Sequence, residues 1–89
     1  MNLDPFNDIS LEIWGELMKA RMKFPDPICS MTALTEEVGE LAKAMLDESP
    51  ERIRKEAVQV AVMAIRVALE GDPSINEYRA RRGLGPHPG

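Results

Sequence analysis

Between Ala57 and Leu69 the chain is apolar around almost its whole helical circumference, and this stretch limits what the chain can fold into. On a wheel of about 100° per residue, Arg52, Lys55, Glu56, Gln59, Arg66 and Glu70 all fall within one narrow polar sector. A helix that is apolar on so many sides needs neighbours on several of them. A chain of 89 residues with one other long apolar helix cannot easily supply those neighbours. Self-association into a helical bundle is the expected solution. The stretch includes Gln59 and Arg66 and falls short of the ~20 residues of a membrane span, so no membrane association is expected. With 44% hydrophobic residues but only 4% aromatic, and six Met, the core must be built from aliphatic and thioether side chains. That composition favours packed helices over sheet.

Local signals divide the rest of the chain into three more helices. Asp4-Pro5 reads as a cap followed by proline at the first helical position, and Phe6, Ile9, Ile13 and Leu17 then make one apolar stripe. This helix is expected to end near Met22, before the Phe24-Pro25-Asp26-Pro27 break. A second helix is expected from about Cys29-Ser30 to Asp47, with Leu34, Val38, Leu41 and Met45 as its core seam. Ser49-Pro50-Glu51 is a strong start for the third helix, which Gly71 should stop. Asp72-Pro73 repeats the cap-and-proline signature and opens a short helix through about Arg81. Residues 1–82 read as one domain, and 83–89, punctuated by Gly and Pro, as a flexible tail. The expected architecture is all-α: an antiparallel hairpin of the two long helices, flanked by shorter helices, oligomerising into a four-helix-bundle core.

The second helix carries an unusual run, Glu36-Glu37-Val38-Gly39-Glu40-Leu41. Residues three and four apart share a helix face, so Glu37 and Glu40 project together, as do Glu36 and Glu40. Like charges at that spacing weaken a helix by a few tenths of a kcal/mol per pair. Either that face is fully wet, or a cation sits on it. With the apolar seam at zero on the wheel, Glu37 lies about 70° away, Glu40 about 130° and Glu36 nearly opposite. An antiparallel third helix would bring Glu56 and Gln59 toward Glu37 and Glu40. Oxygen-only ligands of this kind suit Mg²⁺ or Mn²⁺. The plainer reading is a solvated face on which Lys43, Arg52 and Lys55 make surface pairs worth at most about 1 kcal/mol each.

The net charge of −4 argues against bulk binding to nucleic acid or to an anionic membrane. It leaves room for a small anionic substrate if a divalent metal reverses the local sign. Cys29 is the only cysteine and suits a reducing compartment; the sole histidine, His87, lies in the tail and is not marked as its base. No basic segment followed by an apolar one opens the chain, so a cytoplasmic protein is expected.

The segment from Leu34 to Ala44, with its Glu36-Glu37-x-x-Glu40 core, closely resembles the signature helix of the all-α nucleoside triphosphate pyrophosphohydrolase superfamily, the MazG-like enzymes. The resemblance covers roughly Leu34 to Leu69. The second half of the family pattern, E-x-x-D, is met by Glu56 and departed from at Gln59. The resemblance implies Mg²⁺-dependent hydrolysis of a nucleoside triphosphate, ribo or deoxy, to monophosphate and pyrophosphate. It implies Glu37, Glu40 and Glu56 as metal ligands, with Gln59 in the fourth position. Glu36 becomes an auxiliary ligand or the carboxylate that orients the attacking water, so the catalytic set is Glu36, Glu37, Glu40 and Glu56. Gln59 still offers a carbonyl oxygen but removes one negative charge. A second reading is therefore a non-catalytic nucleotide-binding, oligomerisation or regulatory module derived from the same fold.

Four further residues are candidates for substrate binding. Arg66 is a lone charge in an apolar helix, placed either to pair with an acid or to reach a phosphate. Asn76 and Arg79 match the amide and basic side chains that the family places after its third helix to hold phosphates, although cations near a helix C-terminus are favourable in any case. Trp14 can stack on a base, whereas a Trp on an apolar stripe ordinarily packs in a core. The expected partners are a nucleoside triphosphate and further copies of the chain, as dimer or tetramer.

Overall fold

The computed structural model describes residues 4–26 and 29–86. Four helices occupy them in the order α1 (Pro5–Lys23), α2 (Ser30–Asp47), α3 (Pro50–Glu70) and α4 (Ser74–Arg81), with no strand among the described residues. Pro27, part of the expected break, and residues 1–3 and 87–89, including His87 and the end of the expected tail, lie outside them.

The helix ends follow local chemistry at most positions. The Asp4 carboxylate accepts the Phe6 amide at 2.8 Å, with Pro5 at the first helical position. Phe24 closes α1 by donating its amide to the Ala20 carbonyl, and Pro25 then prevents continuation. Ser49 caps α3 by accepting the Arg52 amide at 3.3 Å, and Gly71 ends it at φ +71°, a conformation that glycine adopts without steric cost. The start of α2 is different. Cys29 sits there in the left-handed region and its side chain makes no cap. The Asp72 carboxylate takes over, accepting the Met31 amide at 2.7 Å from 41 residues away. Its other oxygen accepts the Ser74 amide at 2.9 Å, so one side chain serves the first turns of both α2 and α4. Burial works upward on this carboxyl, but the bonds from Ser74, Met31 and Cys29 outweigh it and hold its pKa below the ordinary 3.8.

α3 is the central element: α1 and α2 both pack along it, and α1 and α2 do not pack on each other. Leu17 of α1 meets Val58 and Val62 of α3, joined by Ile9, Ile13, Ala20 and Ile65. Ala44 of α2 is completely buried. The dimensions are 54 × 30 × 21 Å and the radius of gyration is 15.6 Å, against about 12 Å for a compact chain of this length. Among the described residues, fourteen large hydrophobic side chains are exposed, while only Val58 and Val62 among the large ones are fully buried. The expected α2 seam is correspondingly half open, with Val38 and Met45 exposed, because one neighbouring helix covers only one side of it. No described helix is long and apolar enough to cross a membrane.

Candidate functional site

Helical periodicity on α2 puts Glu36, Glu37 and Glu40 along one border, and α3 brings Glu56 up to them. These four carboxylates line a single cleft, with Gly39 between them. A Cβ at Gly39 would meet nothing within 4 Å, so the cleft stays open at that point. Glu56 is buried at 7% exposure and accepts a 2.9 Å bond from the Arg52 guanidinium, which also reaches Glu48 at 3.4 Å. Glu37 is half-buried. Its pKa lies above the ordinary 4.5, first because burial disfavours the charge, and then because Glu56, Glu40 and Glu36 repel it and Glu56 hydrogen-bonds to it. The cleft therefore concentrates like charge around Glu37.

The donor set matches the hard oxygen ligands that Mg²⁺ and Mn²⁺ prefer. As the side chains stand, no three acids, histidines or cysteines among the described residues converge on one coordination point. Glu56 is engaged with Arg52, and Glu37 with Glu56. Binding a cation would require Glu56 to turn from Arg52.

Gln59 does not line the acidic cleft. It lies between two adjoining hollows. On one side is a groove shared with Glu12, Glu16, Glu51, Arg54 and Lys55, where its amide donates to Glu16 of α1 at 3.3 Å. On the other is a cavity of about 400 Å³ between the end of α1, the start of α2 and the middle of α3. That cavity shares Glu36 and Glu37 with the cleft, and its walls include Phe24, Ser30, Met63 and Arg66.

Arg66 takes the first of its two expected roles. Only 3% exposed, it bonds Glu70 at 2.9 Å and donates to the carbonyls of Phe24 at 2.6 Å and Ala20 at 3.4 Å, tying α3 to the end of α1. Glu70 also pairs with Arg21 at 3.2 Å. Trp14, Asn76 and Arg79 line neither the cleft nor the cavity. Trp14 stands 63% exposed rather than in the core, because only Leu17 and its neighbours on α1 face α3. Asn76 borders an open groove near Met31 and Asp72, and Arg79 donates to the Gly85 carbonyl at 2.6 Å.

Sequence reasoning missed Glu16 and Ser30. Ser30 is 3% exposed on the cavity wall, and Glu16 is 43 residues from the amide it contacts. Neither has a local signal. The Arg52–Glu56 pair was readable from its four-residue spacing. Compared with known protein families, with curated proteins and with solved structures, the chain shows no match.

Proposed function

We propose that this chain is a Mg²⁺-dependent nucleoside triphosphate pyrophosphohydrolase. The observation that carries the proposal is the meeting of Glu36, Glu37, Glu40 and Glu56, from two helices, in one open cleft. The adjoining cavity shares Glu36 and Glu37 with that cleft, which suits a ligand with a polyanionic end and a less polar end. Resemblance of the α2 acid run to the MazG-like signature supplies the reaction type. In this reading Glu37, Glu40 and Glu56 hold the metal, and Gln59, which lies outside the cleft, would have to turn toward them for its carbonyl to serve as fourth oxygen. The bound cation would neutralise charge on the triphosphate and its leaving group. Glu36 orients a water and accepts its proton as the water oxygen attacks the α-phosphorus. The bond from that phosphorus to the bridging oxygen breaks, and pyrophosphate leaves with the electron pair. Arg52, released from Glu56, is free to face the phosphate charge.

Two copies of an antiparallel α2–α3 hairpin, packed into a four-helix core, would cover the exposed apolar surface. An exposed lone cysteine, Cys29, suits a reducing cytoplasm. Incubating the protein with a panel of ribo- and deoxynucleoside triphosphates and Mg²⁺ should release pyrophosphate and monophosphate from at least one of them. No release across the panel, with Mn²⁺ also tried, refutes the activity. Glu40→Gln should abolish turnover while preserving the helical spectrum, since Glu40 is exposed.

A second reading is favoured by the internal pairing of Arg52 with Glu56 and Gln59 with Glu16. It is a module that binds nucleotide or a partner without hydrolysis. Gln59→Asp separates the two, because a gain in metal affinity with no turnover in either form supports the module.

A further inference from the structure

α1 has two apolar faces, and α3 covers one of them. Ile9, Ile13, Leu17 and Ala20 lie against α3. Leu11, Trp14, Met18 and Met22 all stand exposed. On a wheel of about 100° per residue these four form a second stripe, centred about 150° from the first. Among the described helices α1 packs on α3 alone, so the second stripe has no cover within the chain. The charges beside it are ordered. Asp8 and Glu12 flank its first half, and Lys19 and Lys23 flank the same edge of its second half. Gly15 stands between the halves, where a Cβ would meet nothing within 4 Å.

We propose that this face is a self-association surface, on which α1 of a second copy lies antiparallel across a two-fold axis. With Leu11 over the partner's Met22 and Gly15 over the partner's Met18, the apolar positions meet in pairs and Glu12 falls beside the partner's Lys19. Asp8 likewise falls beside the partner's Lys23, and the two-fold repeats both contacts. A parallel, in-register pairing would set acid against acid and cation against cation, so the charge order selects one direction. Glu12 already pairs with Arg54, and Lys19 with Glu16, but both contacts are exposed. An ammonium with three donors and a carboxylate with two oxygens have capacity left. A stripe made for an anionic membrane would be flanked by cations throughout, whereas half of this flank is acidic. The contact is separate from the α2 face that carries Met45, and from the acidic cleft, which has no residue of α1.

Trp14 is the only tryptophan, so its fluorescence reports on the centre of the stripe. As concentration rises through the association seen by sedimentation, its emission should move to shorter wavelength with the same midpoint, in the wild type and in Met45→Lys alike. Trp14→Ala should raise the Kd of association by about 30-fold or more. Glu12→Lys and Lys19→Glu should each weaken association by about fivefold, and their combination should restore it. All these α1 positions are exposed, so the helical spectrum should not change. Cross-linking in a Cys29→Ser background reads the direction. Leu11→Cys and Met22→Cys should each fail to link to itself under mild oxidation, because the two-fold sets each about 16 Å along the axis from its own copy, beyond the ~7 Å that a disulfide spans. Mixed together, the two variants should link to each other. Association without a shift of Trp14 emission overturns the inference and leaves the α2 assembly standing. So does self-linking of either cysteine variant, or no recovery in the charge exchange. An emission shift that phosphatidylserine vesicles produce and concentration does not would assign the face to a membrane instead. No association up to 100-fold above micromolar concentration overturns both contacts.

Discussion

Replacing Arg66 with Met removes the guanidinium but keeps most of the side chain's length and packing. The structure puts that group 3% exposed, bonded to the Phe24 carbonyl at 2.6 Å and to Glu70 at 2.9 Å, with a weaker contact to the Ala20 carbonyl at 3.4 Å. Hydrogen bonds to a charged group are worth about 1.5–3 kcal/mol each, and breaking a buried ion pair costs about 3–5 kcal/mol. Two features place the loss at the low end of that range. Glu70 keeps Arg21 at 3.2 Å, and the Ala20 carbonyl keeps the Phe24 amide at 2.8 Å. We expect a loss of about 3 kcal/mol, a large part of the roughly 4–13 kcal/mol that a domain of this length possesses. At about 4–8 °C per kcal/mol for such a domain, Tm should fall by roughly 12–24 °C. Urea unfolding followed by circular dichroism should show the midpoint lowered with the slope unchanged. Glu70→Gln should cost less than Arg66→Met, because it leaves the bond to Phe24. A loss below about 1 kcal/mol in Arg66→Met would refute the structural role. If nucleotide affinity fell while the midpoint held, Arg66 would serve a phosphate instead.

Four further outcomes test other parts of the structure. Gly39→Ala should stabilise the helix by about 0.5–1 kcal/mol in urea unfolding, since the added methyl meets nothing within 4 Å; destabilisation would contradict the open cleft. The unfolded chain releases the Glu37 proton near 4.5, whereas the fold holds it to higher pH. Stability should therefore fall as pH rises from 4.5 through the folded value, and Glu37→Gln should flatten that part of the profile of Tm against pH. Asp72 acts in the opposite sense: its contribution is present above 3.8 and lost as pH falls through its lower folded value, so Asp72→Asn should be most damaging near neutrality. Sedimentation should show a dimer or larger assembly at micromolar concentration, and Met45→Lys on the exposed α2 face should shift it toward monomer; a wild type that stays monomeric at 100-fold higher concentration would refute the assembly.

Much of the local structure was legible in the sequence because its causes lie within a turn or two of each other. Asp4-Pro5 and Ser49-Pro50 start helices where their side chains and fixed proline geometry act, and Gly71 stops α3 where a positive φ is needed. The grouping of Glu36, Glu37 and Glu40 follows from helical periodicity alone. Packing two helices against each other by their apolar faces was enough to bring Glu56 to them. Only the tertiary structure decided the rest. Asp72 substitutes for a missing cap on α2, Gln59 bonds Glu16 of α1, and Arg66 spends donors on carbonyls at the end of α1. Those partners are 41 to 46 residues apart, so no spacing rule links them. The short hydrophobic stripe on α1 likewise reads as core, yet Trp14 is left exposed while Leu17, Ile9, Ile13 and Ala20 take the contact with α3. Periodicity fixes which residues share a face of a helix; which part of that face is covered depends on where the neighbouring helix comes to rest.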